Sequence, residues 1–76
     1  MAADKGLADA QAKLGYSYST GEGVPQDYAL AHMWFNLAAA QGADKAAENR
    51  DIVAKKMTRD QIAEAQRMAR EWKPAK

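Results

Sequence analysis

Apolar residues recur at intervals of three and four along most of the chain, and this spacing predicts an all-α fold of four amphipathic helices. The first is expected over about residues 8–19, the second over 26–41, the third over 44–56 and the fourth over 59–72. Trp34 can bury about 150–250 Å² and is expected to anchor the core. The predicted core positions of helices one, two and four are Leu7, Ala10, Leu14, Gly15, Tyr18, Ala31, Trp34, Phe35, Ala38, Ile62, Ala65, Ala69 and Trp72, and those of helix three are Ala46, Ala47, Val53 and Ala54.

Glycines mark where the first two helices end. Gly21 and Gly23 follow helix one, and Gly42 follows helix two, where a glycine accepts the left-handed backbone angles of a helix terminus. Gly15 lies inside helix one, where it costs roughly 1 kcal/mol of helix propensity relative to alanine. We therefore expect a neighbouring helix to approach closely at Gly15.

Polar residues predict the starts of helices two and four. Asp27 follows Val24-Pro25, which favours an extended backbone, and its carboxylate can cap the unpaired amides of the next turn. Thr58 and Gln61 have the spacing of a capping box, in which each side chain accepts a hydrogen bond from the other residue's backbone amide. The junction between helices three and four is therefore well specified.

The chain also shows signs of an internal repeat. A shift of 36 residues places Gly6 on Gly42 and Ala10 on Ala46, while a shift of 34 aligns the later alanines because the second unit lacks the glycine loop. A period of this size with two helices per unit is typical of an α-solenoid, in which each unit contacts mainly its neighbours.

The first unit resembles the Sel-1-like repeat, a relative of the tetratricopeptide repeat. The residues that carry the resemblance are Ala10, Leu14, Gly15, Tyr18, Gly21, Gly23, Val24, Asp27, Ala31, Trp34, Ala38, Ala39 and Gly42. The resemblance implies antiparallel helix pairs that stack into a right-handed superhelix, and a protein-interaction scaffold that usually has no catalytic activity.

The resemblance divides the single domain of residues 1–76 into unequal parts. Residues 8–42 are expected to form a complete repeat, and residues 1–7 a remnant of a preceding unit or a disordered segment. Residues 43–73 lack the glycine loop and the aromatic anchor, and Arg50 stands where the first unit has Leu14. We expect them to form a degenerate helix pair that caps the C-terminal end, as terminal units of solenoids do.

Candidate catalytic and metal-binding residues are scarce. The chain has no cysteine and one histidine, His32, so we expect His32 to be a packing residue rather than a ligand. Asp60 and Glu64 lie one turn apart, but solvated helix-start acids explain them more simply than an acid–base pair does. The Gly-Glu-Gly loop lacks the lysine of a phosphate-binding loop. We therefore expect no catalytic site, metal or cofactor.

Charge is distributed unevenly along the chain. Residues 1–49 carry three lysines against six acidic residues, and residues 50–76 carry eight basic against four acidic residues. The cations Arg59, Arg67, Arg70 and Lys73 could line one side of helix four as a nucleic-acid surface. Asp60, Glu64 and Glu71 interrupt that field, and no exposed aromatic series accompanies it, so nucleic-acid binding is the weaker alternative.

No apolar run approaches the roughly 18 residues that a membrane helix needs, and the first residues do not form the pattern of a signal peptide. We therefore expect no membrane association. Cellular compartment cannot be inferred from this sequence.

Protein recognition is the function that the sequence favours. At about 100° per residue, one stripe of helix one lies opposite Leu14, and in tetratricopeptide-like stacks this stripe lines the concave groove. Helix three adds the equivalent positions. The predicted partner-binding residues are Asp9, Ala12, Tyr16, Ser19, Lys45, Glu48, Ile52 and Lys55. The alternatives are packing of Tyr16 against a neighbouring unit, and a purely structural module that ends a longer array or self-associates through its N-terminal face.

Overall fold

Four helices and no strand make up the part of the chain that the computed structural model describes, which is residues 2–72, with side chains from residue 7 onward. They are α1 (Ala2–Thr20), α2 (Tyr28–Ala40), α3 (Ala46–Ala54) and α4 (Arg59–Glu71). The predicted all-α class is confirmed. The expected start of the first helix near Ala8 is wrong, because α1 runs through Gly6. Extending an existing helix gains a hydrogen bond for each residue fixed, which offsets the modest cost of one glycine.

Side-chain caps fix the starts of α2 and α4. The Asp27 carboxylate accepts a hydrogen bond from the backbone amide of Leu30 at 3.1 Å. At α4, the Thr58 hydroxyl accepts from the Gln61 amide at 3.1 Å, and the Gln61 side chain accepts from the Thr58 amide at 2.9 Å. Both predicted caps are therefore confirmed.

A left-handed glycine ends α2, as its position predicted. Gly42 has a φ of +92°, its amide donates to the carbonyl of Ala39 at 3.1 Å, and the amide of Ala43 donates to the carbonyl of Ala38 at 2.9 Å. These two bonds form a Schellman motif, which satisfies carbonyls at the end of the helix. Gly21 and Gly23 also have positive φ values, so the turn between α1 and α2 depends on glycine as expected.

The core is organised around Phe35 rather than Trp34. The buried cluster consists of Ala31, Phe35, Ala38, Ala46 and Val53. A β-carbon at Gly15 would lie 2.7 Å from the Phe35 ring, which confirms the close helix approach predicted there. The prediction that Trp34 anchors the core is wrong. Trp34 is half-buried and meets Trp72 edge to face, with ring centroids 5.8 Å apart.

Helix α2 is the central element, because α1, α3 and α4 all pack on it. The first two helices form a close pair, whereas α3 and α4 make few contacts with each other among the described residues. The second pair therefore differs from the first: its helices are held in place through α2 and not through a mutual interface. Ala65 is the fully buried residue of α4, and Ile62, Ala69 and Trp72 are half-buried.

The predicted inward face of helix one is wrong in register. Ala10 and Leu14 are exposed, and the residues that α1 buries are Ala8, Gln11 and Gly15, with Tyr18 half-buried. The buried stripe is the one that faces α2, the helix on which α1 packs. Ala47, predicted to face inward on helix three, is also exposed because α3 likewise buries mainly the side that lies on α2.

Candidate interaction surface

The α1 residues of the predicted groove differ in exposure. Tyr16 is 55% exposed and Asp9 is exposed as well, so both side chains present atoms to solvent. Ala12 is half-buried and packs against the core cluster. The hydroxyl of Ser19 donates to the carbonyl of Tyr16 at 2.8 Å, so this hydroxyl is already engaged within its own helix. On α1, Tyr16 is therefore the main candidate contact.

The α3 residues of the predicted groove are all exposed. Ile52 is 53% exposed, Glu48 and Lys55 lie one helical turn before and after it, and Lys45 lies two turns before it. Neighbouring Val53 is buried in the core cluster, so the backbone that carries Ile52 is fixed against α2. An exposed isoleucine on such an anchored helix is a suitable apolar contact for a partner.

Helix α2 carries both sets of residues, because α1 and α3 each pack on it. Ala12 from α1 and Val53 from α3 pack into the same core cluster, beneath the exposed residues of the two helices. At one end an open cavity of about 260 Å³ is lined by Ala8 and Asp9 of α1 together with Gly42, Ala43 and Asp44 of the turn before α3. We call the predicted binding residues, which are Asp9, Ala12, Tyr16, Ser19, Lys45, Glu48, Ile52 and Lys55, the α1–α3 surface. Its role in binding remains a prediction.

Gln11 is a polar core residue that sequence reasoning missed. Its side chain is 2% exposed, and neither its amide nitrogen nor its amide oxygen has a hydrogen-bond partner in the described protein. The helical period could have indicated its burial, because Gln11 lies three residues after Ala8 and four before Gly15, on the same face of α1. It was overlooked because glutamine is rarely buried.

His32 lies in the interior of the fold, as the packing interpretation expected. It is 3% exposed, and its Nδ1 atom is buried without a hydrogen-bond partner among the described residues. Burial lowers the pKa of His32, and the positive charge of Arg50 lowers the pKa further, against a smaller opposing effect of Asp51. The imidazole is therefore held in its neutral form.

Arg50 links α3 to α2. Its guanidinium donates to the side-chain oxygen of Asn36 at 3.1 Å, and its Nε atom donates to Asp51 at 3.4 Å. The sequence placed Arg50 at the position equivalent to Leu14. It did not predict that the side chain would stay half-buried and reach back to the preceding helix.

The remaining candidates for chemistry do not converge on a site. Within the described residues, no three His, Cys, Asp or Glu side chains come together in a way that could hold a metal ion. Glu64 does not pair with Asp60 but accepts hydrogen bonds from Arg67 instead, and this interaction lowers the pKa of Glu64.

The cations of α4 are partly neutralised by their own helix. Arg67 donates to Glu64 and also to Glu71, the latter at 2.6 Å. Arg59 and Arg70 are exposed, and Lys73 lies outside the described residues. No helix of the described chain is long and apolar enough to cross a membrane.

A second exposed apolar stripe lies on α1, beside the stripe that packs on α2. Leu7 is 41% exposed and Leu14 is 39% exposed, with the exposed Ala10 between them. We call Leu7, Ala10 and Leu14 the N-terminal face. Their counterparts 36 residues later are Ala43, Ala46 and Arg50.

The counterparts in and before α3 all contact α2 or its core. Ala46 is 2% exposed, Ala43 packs against the core cluster, and Arg50 binds Asn36 of α2. At the positions equivalent to the N-terminal face, therefore, α3 and the turn before it face α2. The N-terminal face is exposed because the described chain contains no such helix ahead of α1.

Comparison with known proteins places the central part of this chain in a repeat family. The profile of the family described as Sel1 repeat matches residues 8–42. The matched region contains α2 and most of α1, and includes Gly15, Phe35 and both glycine turns. Repeats of this family are in general protein–protein interaction modules on a helical, typically non-enzymatic scaffold.

Two longer proteins are similar to this chain. The chitin synthase regulatory factor 3 of Schizosaccharomyces pombe is 49% identical over 45 residues, which cover 59% of this chain and 5% of that protein. The crystal structure of a protective antigen present in uropathogenic Escherichia coli strains, displaying an SLR fold, superposes with a TM-score of 0.81 at 38% identity. The superposition covers 92% of this chain and 15% of the antigen, so this chain corresponds to a small part of each protein.

Proposed function

We propose that this chain, which belongs to the Sel1-like repeat family, is a non-enzymatic protein-interaction module that binds a protein or peptide partner on the α1–α3 surface. The observation that supports this choice most directly is the pair Tyr16 and Ile52. They are large apolar residues, each more than half exposed, at equivalent positions of successive repeat units.

The α1–α3 surface has the composition of a recognition site. It combines a few apolar residues with the exposed charged residues Asp9, Lys45, Glu48 and Lys55, and interfaces likewise combine apolar and polar residues. Tyrosine is enriched among residues that dominate binding energies, because its ring contributes a large rigid contact area and its hydroxyl a hydrogen bond. A partner would therefore make its apolar contacts with Tyr16 and Ile52.

This proposal can be tested with peptides selected from a random displayed library on the immobilised chain. Each selected peptide would be titrated by fluorescence anisotropy against the wild-type chain, Tyr16→Ala, Ile52→Ala and Leu14→Ala. Loss of a central contact of about 1.4 kcal/mol or more weakens binding at least tenfold, and we expect this for Tyr16→Ala and Ile52→Ala.

Leu14→Ala is the matched control, because Leu14 is an exposed apolar residue about 200° around α1 from Tyr16. We expect its affinity to equal that of the wild-type chain. Unchanged affinity in both Tyr16→Ala and Ile52→Ala would exclude the α1–α3 surface as the binding site.

A second candidate role is structural, and it is favoured by the exposure of the N-terminal face. In this role α1 packs against the second helix of a preceding repeat unit, and residues 43–73 cap the C-terminal end of the array. The support is that Ala43, Ala46 and Arg50 occupy the same repeat positions and are packed on α2. The isolated chain would then tend to self-associate through Leu7 and Leu14.

Sedimentation equilibrium over a wide concentration range tests the structural role. We expect association that weakens in Leu14→Lys, with Tyr16→Lys as the control at a more exposed position of α1. A chain that stays monomeric at millimolar concentration would argue against self-association.

Nucleic-acid binding through the basic half is the weaker alternative, and a mobility-shift assay at low salt that detects no complex would remove it.

A further inference from the structure

We propose that His32 is an acid-sensitive latch that holds α3 on α2 only while its imidazole is neutral. The geometry carries this inference. His32 is 3% exposed on the central helix, and its Nδ1 atom is enclosed without a hydrogen-bond partner. Arg50, whose positive charge acts on the ring, binds Asn36 one turn further along α2.

Protonation creates a specific conflict at this position. The neutral ring has one N–H group, whereas the imidazolium has a proton on both nitrogens. The enclosed Nδ1 atom would then be a donor without an acceptor, which is costly in a buried place. The ring would also carry a positive charge near Arg50, so the folded chain resists protonation.

The charges that act on His32 come from one helix. Arg50 and Asp51 both belong to α3, and Arg50 has the larger effect. A further cation, Lys56, follows α3 and lies over the ring of Tyr28, one turn before His32 on α2, with its Nζ atom 5.7 Å from the ring centroid. The repulsion that follows protonation is therefore directed between α2 and α3.

Helix α3 depends on α2 for its place in the fold. It has nine residues, its N-cap residue Lys45 makes no side-chain cap, and it has few contacts with α4. Helices this short have marginal stability without tertiary packing, so α3 depends on its packing contacts with α2. Release of α3 would separate Arg50 from His32 and let water reach Nδ1.

The direction of the pH effect follows from linkage. The pKa of His32 is lowered in the folded chain, while an unfolded histidine has a pKa of about 6.5, so the released form binds the proton more readily. The closed form is fully favoured only well above pH 6.5, where the released histidine is neutral as well. As the pH falls below this value, the equilibrium constant for release rises by up to about tenfold per pH unit until the folded-state pKa is reached.

The inference has a consequence for binding that rests on the proposed function. Helix α3 and its N-cap residue Lys45 supply half of the α1–α3 surface, including Ile52. Release of α3 would remove that half, so a peptide bound there would dissociate more readily at pH 5 than at pH 7. Recognition would thus be coupled to the acidity of the compartment.

The test is an NMR titration of the full chain without any ligand. His32 is the only histidine in the sequence, so its ring resonance can be assigned without ambiguity. We expect its midpoint to lie below 6.5, and the amide signals of residues 46–54 to shift or broaden with the same midpoint while those of residues 11–18 stay constant. A midpoint at or above 6.5, or α3 amides that do not respond, would overturn the latch.

Two variants separate the latch from general acid instability. Arg50→Gln removes the neighbouring charge and keeps a donor for Asn36, so the ring midpoint should move up toward 6.5. His32→Gln should abolish the response of the α3 amides between pH 5 and 7. If His32→Gln does not fold, the midpoint of Arg50→Gln decides, since an unchanged midpoint contradicts the proposed charge coupling.

The proposed function is tested separately from the latch. A peptide selected on the α1–α3 surface should bind the wild-type chain at least several-fold more weakly at pH 5 than at pH 7, and this pH dependence should be lost in His32→Gln. If no peptide binds, the proposed function fails while the ligand-free titration still decides the latch. If a peptide binds equally at both pH values while α3 is released, the peptide does not use α3.

Discussion

Helices α1 and α3 hold equivalent positions in successive repeat units, yet they bury neighbouring stripes of their surfaces. In α1 the buried residues are Ala8, Gln11 and Gly15, whose counterparts 36 residues later, Asp44, Ala47 and Asp51, are exposed. In α3 the buried side includes Ala46, whose counterpart Ala10 is exposed. Each helix thus uses the packing face that the other leaves open.

The difference defines two packing faces, one used by α1 and the other by α3. One face meets the second helix of its own unit, as Gly15 meets Phe35, and the other meets the second helix of the unit before it, as Arg50 meets Asn36. Helix α1 has only the first partner and α3 has mainly the second. Since α2 is the partner in both cases, the stability of the whole domain depends on this one helix.

The largest predicted effect comes from removing the ring at the centre of α2. Phe35→Ala should destabilise the chain by about 3–5 kcal/mol, because it leaves a cavity between all the elements of the core cluster. Trp34→Ala should cost less, since Trp34 is half-buried and lies outside that cluster. Urea unfolding followed by circular dichroism measures both values. If Trp34→Ala lowers the free energy of unfolding as much as Phe35→Ala or more, Trp34 is the residue that anchors the core.

A matched pair of leucine substitutions tests the exchange of faces between α1 and α3. Ala46→Leu inserts three carbons into the core cluster and should cost about 1–3 kcal/mol through overpacking. Ala10→Leu at the equivalent position should change the free energy of unfolding by less than about 0.5 kcal/mol, because the site is exposed. If both variants lose a similar amount of unfolding free energy, the side chain of Ala10 is buried in solution and not exposed.

A smaller effect is expected at the close approach of α1 and α2. Gly15→Ala gains about 1 kcal/mol of helix propensity, but its β-carbon would lie 2.7 Å from the buried Phe35 ring. Overpacking costs about 1–3 kcal/mol, so we expect a net loss of roughly 1 kcal/mol. The control is Asp51→Ala in α3, which is exposed and should be close to neutral. A stabilised Gly15→Ala variant would show that the ring can move aside.

Local signals predicted much of this fold from the sequence. The four helices, the caps at Asp27 and Thr58 and the left-handed glycine at Gly42 each follow from interactions within a few residues. The close approach at Gly15 was also predictable, because a glycine inside a helix has a propensity cost that suggests a packing reason.

Features that depend on distant partners could not be predicted in the same way. Leu14 has the sequence character of a core residue, but its exposure depends on whether a helix lies ahead of α1. The choice between Phe35 and Trp34 depends on which side of α2 meets α1, where Gly15 lies against the Phe35 ring. The surroundings of His32 depend on Arg50, which is 18 residues away in the sequence and comes close only through packing. Hydrophobic periodicity shows which residues share a face of one helix, but it does not show which distant residues that face contacts.

The measurement that tests the two-face account most directly is the reactivity of a single thiol at equivalent positions of α1 and α3. The chain has no cysteine, so Ala10→Cys and Ala46→Cys each introduce one thiol that can be followed with Ellman's reagent. At micromolar concentration we expect Ala10→Cys to react nearly as fast as the unfolded chain, and Ala46→Cys to react at least about 100-fold more slowly, since it must wait for α3 to open. Equal protection of the two thiols would contradict the account, because α1 would then bury the face that this structure leaves open.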